Sequence, residues 1–147
     1  MADLTELMTN RADEGATMTL MDPKSDLTRP YRRDQADPES APITITCLGR
    51  DSKVWRRMQH AQQSRRLTAA MRKGKMKFDA EAAAADALDL LVACVVDWDG
   101  IELEGKPWPC TEANRRKLLA GCEWMREQID EFVDDRATYL GEGSPNS

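Results

Sequence analysis

Two short stretches near the N-terminus alternate small or polar side chains with apolar ones. Residues 16–21 (Ala-Thr-Met-Thr-Leu-Met) run into Asp22-Pro23, and residues 43–48 (Ile-Thr-Ile-Thr-Cys-Leu) end at Gly49. A period of two is typical of a strand with one buried face, and Pro and Gly mark the turns that end it. The pattern therefore predicts two half-buried strands, which we expect to form an antiparallel pair.

The segment between these strands has a different character. Residues 22–41 contain Pro23, Pro30 and Pro38, and Pro42 follows directly. Proline removes a backbone donor and clashes with the preceding helical turn, so this spacing excludes a regular helix. We expect a long mobile connection.

The rest of the chain has mainly helical spacing. Asp51-Ser52 can cap a helix that continues through Lys73, where Gly74 provides a stop. Phe78-Asp79 opens a second helix, whose apolar residues recur every three or four positions through Val95 and Trp98. Thr111 caps a short third helix that ends near Gly121, and a fourth covers residues 123–140. The predicted core centres on Leu88, Leu91, Val95, Trp98, Ile129 and Phe132.

Residues 97–109 interrupt the helical pattern with two glycines and two prolines. Ile101 and Leu103 alternate with glutamates before Gly105-Lys106, which predicts a tight β-hairpin. The expected fold class is α+β, mainly α: a small antiparallel β unit followed by about four helices, with a hairpin between the second and third. We expect a single domain at 16–140, a flexible N-terminus at 1–15 and a flexible tail at 141–147.

Length and composition bound the class of protein. The 147 residues suffice for one domain, and with 41% hydrophobic and 32% charged residues the chain can pack a core. The longest strongly apolar run, 90–96, is far shorter than the roughly 20 residues of a membrane helix. The four cysteines are widely spaced, which favours reduced thiols. We expect a soluble cytoplasmic protein without a membrane partner.

Candidate catalytic and metal-binding residues are few. Asp97, Asp99, Glu102 and Glu104 lie within eight residues, but the sixth and twelfth positions of a calcium loop counted from Asp97 lack the required Gly and Glu. His60 is the only histidine and has one acid, Asp51, within seventeen residues on either side. The chain also lacks the GxSxG, P-loop, GxGxxG and HExxH motifs. We therefore expect no enzyme, no cofactor and no metal.

Charge is strongly segregated along the chain. Residues 50–77 carry a net charge of +9, whereas residues 1–49 carry −4 and residues 78–147 carry −10. The basic block could neutralise phosphates, face a protein partner, or pair with the acids of its own chain. Because aromatic residues stand only at its edges and no helix-turn-helix is evident, we rank a protein partner above nucleic acid.

The basic helix has too thin an apolar stripe to bury fully. Arginines surround it, and their planar, weakly hydrated head groups favour protein interfaces. We therefore expect this helix, rather than the C-terminal one, to contact a partner. The alternative is that its aromatic and Met residues pack on the strands while its arginines pair with acids of residues 78–147. The predicted partner-binding residues are Trp55, Arg56, Met58, Arg65, Arg66, Leu67 and Met71.

Three segments together resemble a known family. They are residues 43–52 after a β run, residues 91–98 followed by a hairpin with Pro107 and Pro109, and residues 124–140, which begin Trp-Met-Arg-Glu-Gln and end Asp-Arg-Ala-Thr-Tyr-Leu. In order and spacing they are similar to the tail assembly chaperones of long-tailed, lambda-like bacteriophages. The resemblance covers roughly residues 16–140. The chain departs from the family pattern at the connection 22–41, which is longer than the family pattern leads us to expect.

The resemblance implies a function. Members of that family are non-virion helpers that coat the aggregation-prone tape measure protein and bring tail tube subunits to it in the host cytoplasm. It implies the tape measure protein and the tail tube protein as partners; self-association remains open. The competing interpretations are a structural virion or head-to-tail joining protein, and a nucleic-acid binding module that uses residues 50–77.

Overall fold

A computed structural model describes residues 3–5, 10–73 and 80–140. The fold is α+β and mainly α, as the sequence predicted. The strands are β1 (Ala16–Thr19), β2 (Thr44–Cys47), β3 (Val95–Asp99), β4 (Glu102–Leu103) and β5 (Lys106–Pro107). The helices of the described residues are α1 (Lys53–Lys73), α2 (Ala80–Cys94), α3 (Glu112–Gly121), α4 (Glu123–Asp134) and α5 (Arg136–Tyr139), with a short 3-10 helix at Pro23–Ser25.

The main sheet has three antiparallel strands in the order β1-β2-β3. The predicted pairing of the two N-terminal strands is confirmed, with Met18 opposite Ile45. One face of the sheet is buried: Met18, Ile45 and Cys47 are at most 7% exposed. Helix α2 lies at the centre of the helical part and contacts α1, α3 and α4.

The third strand was not predicted, and the helical reading of Val95 to Trp98 is wrong. Helix α2 ends at Cys94, and β3 begins at Val95 with no residue between them. The register of β2 and β3 shifts between Thr46 and Cys47, because Thr46 pairs with Asp97 while Cys47 pairs with Val95. The extra residue is a β-bulge, and it allows Val95 and Trp98 both to be buried three positions apart. The bulge thus gives Val95 and Trp98 the three-residue spacing that is also typical of a helix.

The start of α1 confirms the predicted cap. The buried Ser52 hydroxyl accepts a hydrogen bond from the Trp55 N–H (3.2 Å), and the Lys53 N–H donates to Asp13 Oδ1 (2.7 Å). These bonds satisfy amides that a helix start leaves without intrahelical acceptors. The predicted stop at Gly74 and the predicted helix start at Phe78-Asp79 lie outside the described residues.

The predicted hairpin is confirmed as β4 and β5, with Leu103 paired to Lys106. Its two turn residues, Glu104 and Gly105, both have positive φ (54° and 79°). Two such residues in succession are characteristic of the type I′ turn that closes tight hairpins. Next to the hairpin, Trp98 stacks on Trp108 (centroids 5.3 Å apart) and donates its indole N–H to the Trp108 carbonyl oxygen (2.7 Å).

The predicted single C-terminal helix is wrong in one respect, because Asp135 divides it into α4 and α5. Asp135 has extended backbone (φ −80°, ψ 94°), and its carboxylate accepts a hydrogen bond from the Ala137 N–H. An Asp that caps a following helix competes with continuation of the preceding one. The Thr111 cap of α3 is confirmed, since its hydroxyl accepts from the Asn114 N–H (3.2 Å).

The connection 22–41 has little regular structure, as its prolines predicted, but it has defined contacts. Isolated bridges join Met21 to Pro30 and Arg32 to Pro42. Its mobility stays a prediction. Residues 10–15, which the sequence placed in the N-terminal extension, also contact the fold: Ala12 is 1% exposed, and the Arg11 N–H donates to the Tyr139 carbonyl oxygen.

The core contains all six predicted residues. Leu91, Val95, Trp98 and Ile129 are buried, and Leu88 and Phe132 are half-buried and pack against them. The predicted core centre did not include residues of β1, β2, α3 or the C-terminal segment. The buried hydrophobic residues it omitted include Leu20, Ile45, Cys47, Leu119, Val133 and Tyr139.

Candidate partner-binding surface

The predicted partner-binding residues divide into a packed group and an exposed group along α1. Trp55 is half-buried and packs against the core, and Met58 is half-buried. Leu67 and Met71, in the last two turns of the helix, are 57% and 77% exposed. At 100° per residue, Leu67 lies on the side of α1 opposite Met58. The apolar residues predicted for this site therefore lie on two surfaces of α1, one facing the protein and one facing outward.

The arginines of α1 also divide into two groups. The Arg66 guanidinium contacts Asp86 Oδ2 through Nε (3.0 Å) and Nη2 (2.6 Å). The Arg56 guanidinium donates to the Asp51 carbonyl oxygen (2.7 Å). Arg65 is exposed, and in the part of the chain that the structure describes no carboxylate lies within 4.0 Å of it. Among the described residues, neither Arg65 nor Arg56 has an ion pair, and Arg65 also lacks a hydrogen bond that fixes its guanidinium.

Two contacts to the same residue of α2 hold the middle of α1 in place. The Gln62 side chain is 5% exposed and donates from Nε2 to the Asp86 carbonyl oxygen (2.8 Å), while Arg66 binds the carboxylate of that residue. Arg50, just before the helix, pairs with Asp134 (2.6 Å). The alternative, in which the arginines pair with acids of residues 78–147, therefore holds for Arg50 and Arg66. It does not hold for Arg65 among the described residues.

The candidate catalytic and metal-binding residues named from the sequence are either paired within the chain or exposed on the surface. Asp99 pairs with Arg33 (2.7 Å), and His60 lies on the exposed surface of α1. Over residues 3–5, 10–73 and 80–140, no three His, Cys, Asp or Glu side chains are grouped so that they could hold a metal ion. Within those same ranges no helix is long and apolar enough to cross a membrane.

All four cysteines are free thiols. Burial raises the pKa of Cys47 to about 12, with the neighbouring Cys94 and Cys110 adding to the effect. Burial also raises the pKa of Cys94 to about 12, against a hydrogen bond from Ser52 that lowers it. Because the thiolate is the nucleophilic form, these two thiols are unreactive near neutral pH and serve as core residues.

The structure also has two adjoining grooves along helix α4, which the sequence did not predict. One groove, with a volume of about 340 Å³, is lined by residues of the connection and of α4, including Leu27 and Trp124. The other, of about 440 Å³, runs between β1 and α4. The two share Leu27, Gln128 and Glu131. The segments that line them are about 100 residues apart in the chain, and no local pattern connects them.

Comparison with protein-family models, with curated proteins and with solved structures finds no match for this chain, so a functional assignment depends on its own residues.

Proposed function

We propose that this chain is a non-enzymatic phage tail assembly chaperone that binds the tape measure protein, keeps it soluble and recruits tail tube subunits in the host cytoplasm. The observation that supports the proposal best is the outward surface of α1 around Leu67 and Met71, where large apolar side chains stand exposed on a long helix. Exposed apolar residues beside arginine are typical of sites that contact another protein.

The helix that carries this surface is well supported from within the chain. Its first half packs against the core through Val54 and Trp55, and Gln62 and Arg66 fasten its middle to α2. A partner can therefore bind the outward surface without displacing core contacts. Such pre-organisation lowers the entropy cost of binding.

The chemistry of this surface favours one class of partner segment. Leu67 and Met71 are four residues apart, which suits the apolar stripe of an amphipathic helix. Arg65 lies about 160° around α1 from Leu67, so its charge belongs to a different side of the helix. Methionine adapts to irregular partner surfaces because its side chain is unbranched and polarizable. A long helical tape measure protein would supply such segments repeatedly.

The first experiment is co-expression with the tape measure protein of the same genome. We expect the tape measure protein to be more soluble with this chain than without it, and a complex to survive size-exclusion chromatography. If solubility does not change and no complex is recovered, the proposed function is wrong. A tape measure gene immediately downstream of this one would support the proposal independently.

A pair of double variants locates the contact. Leu67→Gln with Met71→Gln removes the apolar surface. Ala61→Gln with Thr68→Gln changes two exposed positions that lie about 80° to 100° around the helix from the midpoint of Leu67 and Met71. We expect only the first pair to weaken the complex, with both pairs retaining the circular dichroism of the unmodified chain. Equal binding by both pairs would remove this surface from the proposal.

Charge reversal tests a different side of α1, because Arg65 lies about 160° around the helix from Leu67. Among the described residues Arg65 has no ion pair, so Arg65→Glu reverses its charge without breaking an internal contact. Arg66→Glu instead places a second carboxylate beside Asp86. We expect Arg65→Glu to weaken the complex while the fold stays intact. Loss of the fold in Arg66→Glu alone would reflect the internal pairing.

The alternatives give different results in the same preparations. Binding of duplex DNA by the purified chain, with an affinity that falls steeply as salt rises, would assign the basic segment 50–77 to nucleic acid. Recovery of the chain from purified mature particles would favour a structural virion or head-to-tail joining role.

A further inference from the structure

Among the described residues, strand β1 has an edge to which no strand is bonded. The sheet order places β1 at one side, and of the described strands it pairs only with β2. The Leu20 N–H donates to the Ile43 carbonyl oxygen (2.9 Å), and the Leu20 carbonyl oxygen accepts from the Tyr31 N–H (2.7 Å). By alternation the backbone groups of Met18, which is opposite Ile45, point toward β2. Thr17, Thr19 and Met21 consequently direct their N–H and C=O groups away from the sheet.

One position of this edge already has a strand-like partner. Gln128 Oε1 accepts a hydrogen bond from the Met21 N–H, and Gln128 Nε2 donates to the Met21 carbonyl oxygen, both at 2.9 Å. A single side-chain amide thus makes the two bonds that a neighbouring strand would make. No described strand pairs with the outward groups of Thr17 and Thr19. The outward backbone groups of Thr17 and Thr19 are therefore available to bond to another strand.

These vacant positions open onto the groove beside α4. Met18, Leu27 and Phe132 supply apolar lining, and Leu27 is 48% exposed. Leu27 and the preceding Asp26 have positive φ (63° and 55°), a conformation that side chains other than glycine rarely adopt. Backbone strain of this kind tends to occur at binding sites. Here it belongs to the loop that presents Leu27 to the groove.

The charged lining has one sign. The charged residues of the two adjoining grooves are all acidic: Asp26, Glu127, Glu131 and Asp135. No ion pair involves these four acids within the part of the chain that the structure describes. Acids beside a strand edge select against an acidic segment and attract a basic one.

We propose that this groove binds an extended, basic peptide segment of a partner protein, which adds to β1 as a fourth strand. Its backbone bonds to the outward groups of Thr17 and Thr19. Its apolar side chains contact Leu27 and Phe132, and its Lys or Arg side chains lie near Glu131 and Asp135. Main-chain bonds provide affinity in this mode of recognition and alternate side chains provide specificity. The inference is independent of the proposed function, because none of the lining residues belongs to α1.

The test uses the full chain and a capped synthetic peptide with the sequence Lys-Val-Lys-Val-Lys-Val-Lys. In a titration followed by amide NMR we expect saturable binding, with hydrogen exchange at Thr17 and Thr19 slowed by about tenfold or more. A peptide with Glu in place of each Lys should not bind. Absence of binding by the basic peptide, or equal binding by the acidic one, would overturn the inference.

Two substitutions at one residue separate backbone pairing from other contacts. Thr19→Pro removes the outward N–H together with the side-chain hydroxyl, a change that an edge strand tolerates. Thr19→Val removes the hydroxyl and keeps that donor. We expect Thr19→Pro to weaken peptide binding by about tenfold and Thr19→Val to leave it within about twofold. Equal affinity in the two variants would exclude strand addition. If Thr19→Pro does not fold, unchanged exchange at Thr17 and Thr19 in the unmodified chain saturated with peptide overturns the inference instead.

Discussion

Gly49 lies directly against the ring of Tyr139. A Cβ atom built on Gly49 would lie 2.8 Å from Cδ2 of that ring and 3.0 Å from Cγ, closer than real Cβ atoms approach. The ring is 2% exposed, its hydroxyl donates to the Cys47 carbonyl oxygen (3.2 Å), and its edge meets Phe132. This contact attaches the C-terminal helix α5 to the end of β2.

The close approach makes Gly49 sensitive to any side chain. We expect Gly49→Ala to lower the free energy of unfolding by about 1 to 3 kcal/mol, because Tyr139 must shift within a packed site. Gly121→Ala is the matched control, since a Cβ there meets nothing within 4 Å and alanine favours the helix. Urea unfolding measures both. Equal free energies of unfolding in the two variants would contradict the prediction.

Helix α2 supplies the centre of the core through Leu91, which is 4% exposed. We expect Leu91→Ala to lower the free energy of unfolding by about 2 to 5 kcal/mol, through lost burial and the cavity left behind. The same change at Leu103, which is 58% exposed in the hairpin, should change it by about 0.5 kcal/mol or less. Similar unfolding midpoints for the two variants would show that the buried side of α2 has been misassigned.

The two contacts from α1 to Asp86 should differ in strength. Gln62 is buried, so Gln62→Ala should cost about 1 to 2 kcal/mol through the lost hydrogen bond and packing. The Arg66 side chain is 53% exposed, and Arg66→Ala should cost less than about 1 kcal/mol because water screens the pair. Chemical denaturation of both variants measures the order, and the reverse order would disprove this account of how α1 is held.

Stability should fall in alkaline solution because of the buried thiols. The pKa of Cys47 is raised from 9.0 to about 12, mainly by burial, and Cys94 behaves alike. Above pH 9 the unfolded chain loses these protons while the folded chain keeps them. Each thiol therefore lowers the free energy of unfolding by up to about 1.4 kcal/mol per pH unit between pH 9 and 12.

Urea midpoints at several pH values between 8.5 and 10.5 measure this dependence. Cys47→Val removes one thiol with little change of volume and should reduce the slope. A slope that is the same in the variant would show that Cys47 is not responsible. Burial also raises the pKa of Tyr139, which contributes a dependence of the same sign that the substitution does not remove.

Features specified by neighbouring residues were predictable from the sequence. The strand pair, the hairpin and the caps at Ser52 and Thr111 each depend on a few adjacent side chains. Strand β3 was missed because a bulge gave Val95 and Trp98 the spacing of a helix. The break at Asp135 was missed because the apolar pattern continues across it, and only the carboxylate bond to Ala137 reveals the new cap.

The candidate surfaces were predictable only in part. The sequence identified α1 as incompletely buried, but long-range contacts decide which of its residues remain available. Arg66 is held by Asp86, twenty residues away, while the neighbouring Arg65 is exposed. The groove beside β1 depends on Gln128 meeting Met21, a separation of 107 residues. Neither contact has a local signal.

The direct junction between α2 and β3 has a mechanical consequence. Cys94 ends the helix and Val95 begins the strand, so no slack chain separates them. Helix α1 packs on α2, and β3 is bonded to β2. Helices α1 and α2 are therefore joined to the sheet at this point without a flexible linker. A load applied to α1 by a bound partner would act on the ladder of β2 and β3 rather than being absorbed by a flexible loop.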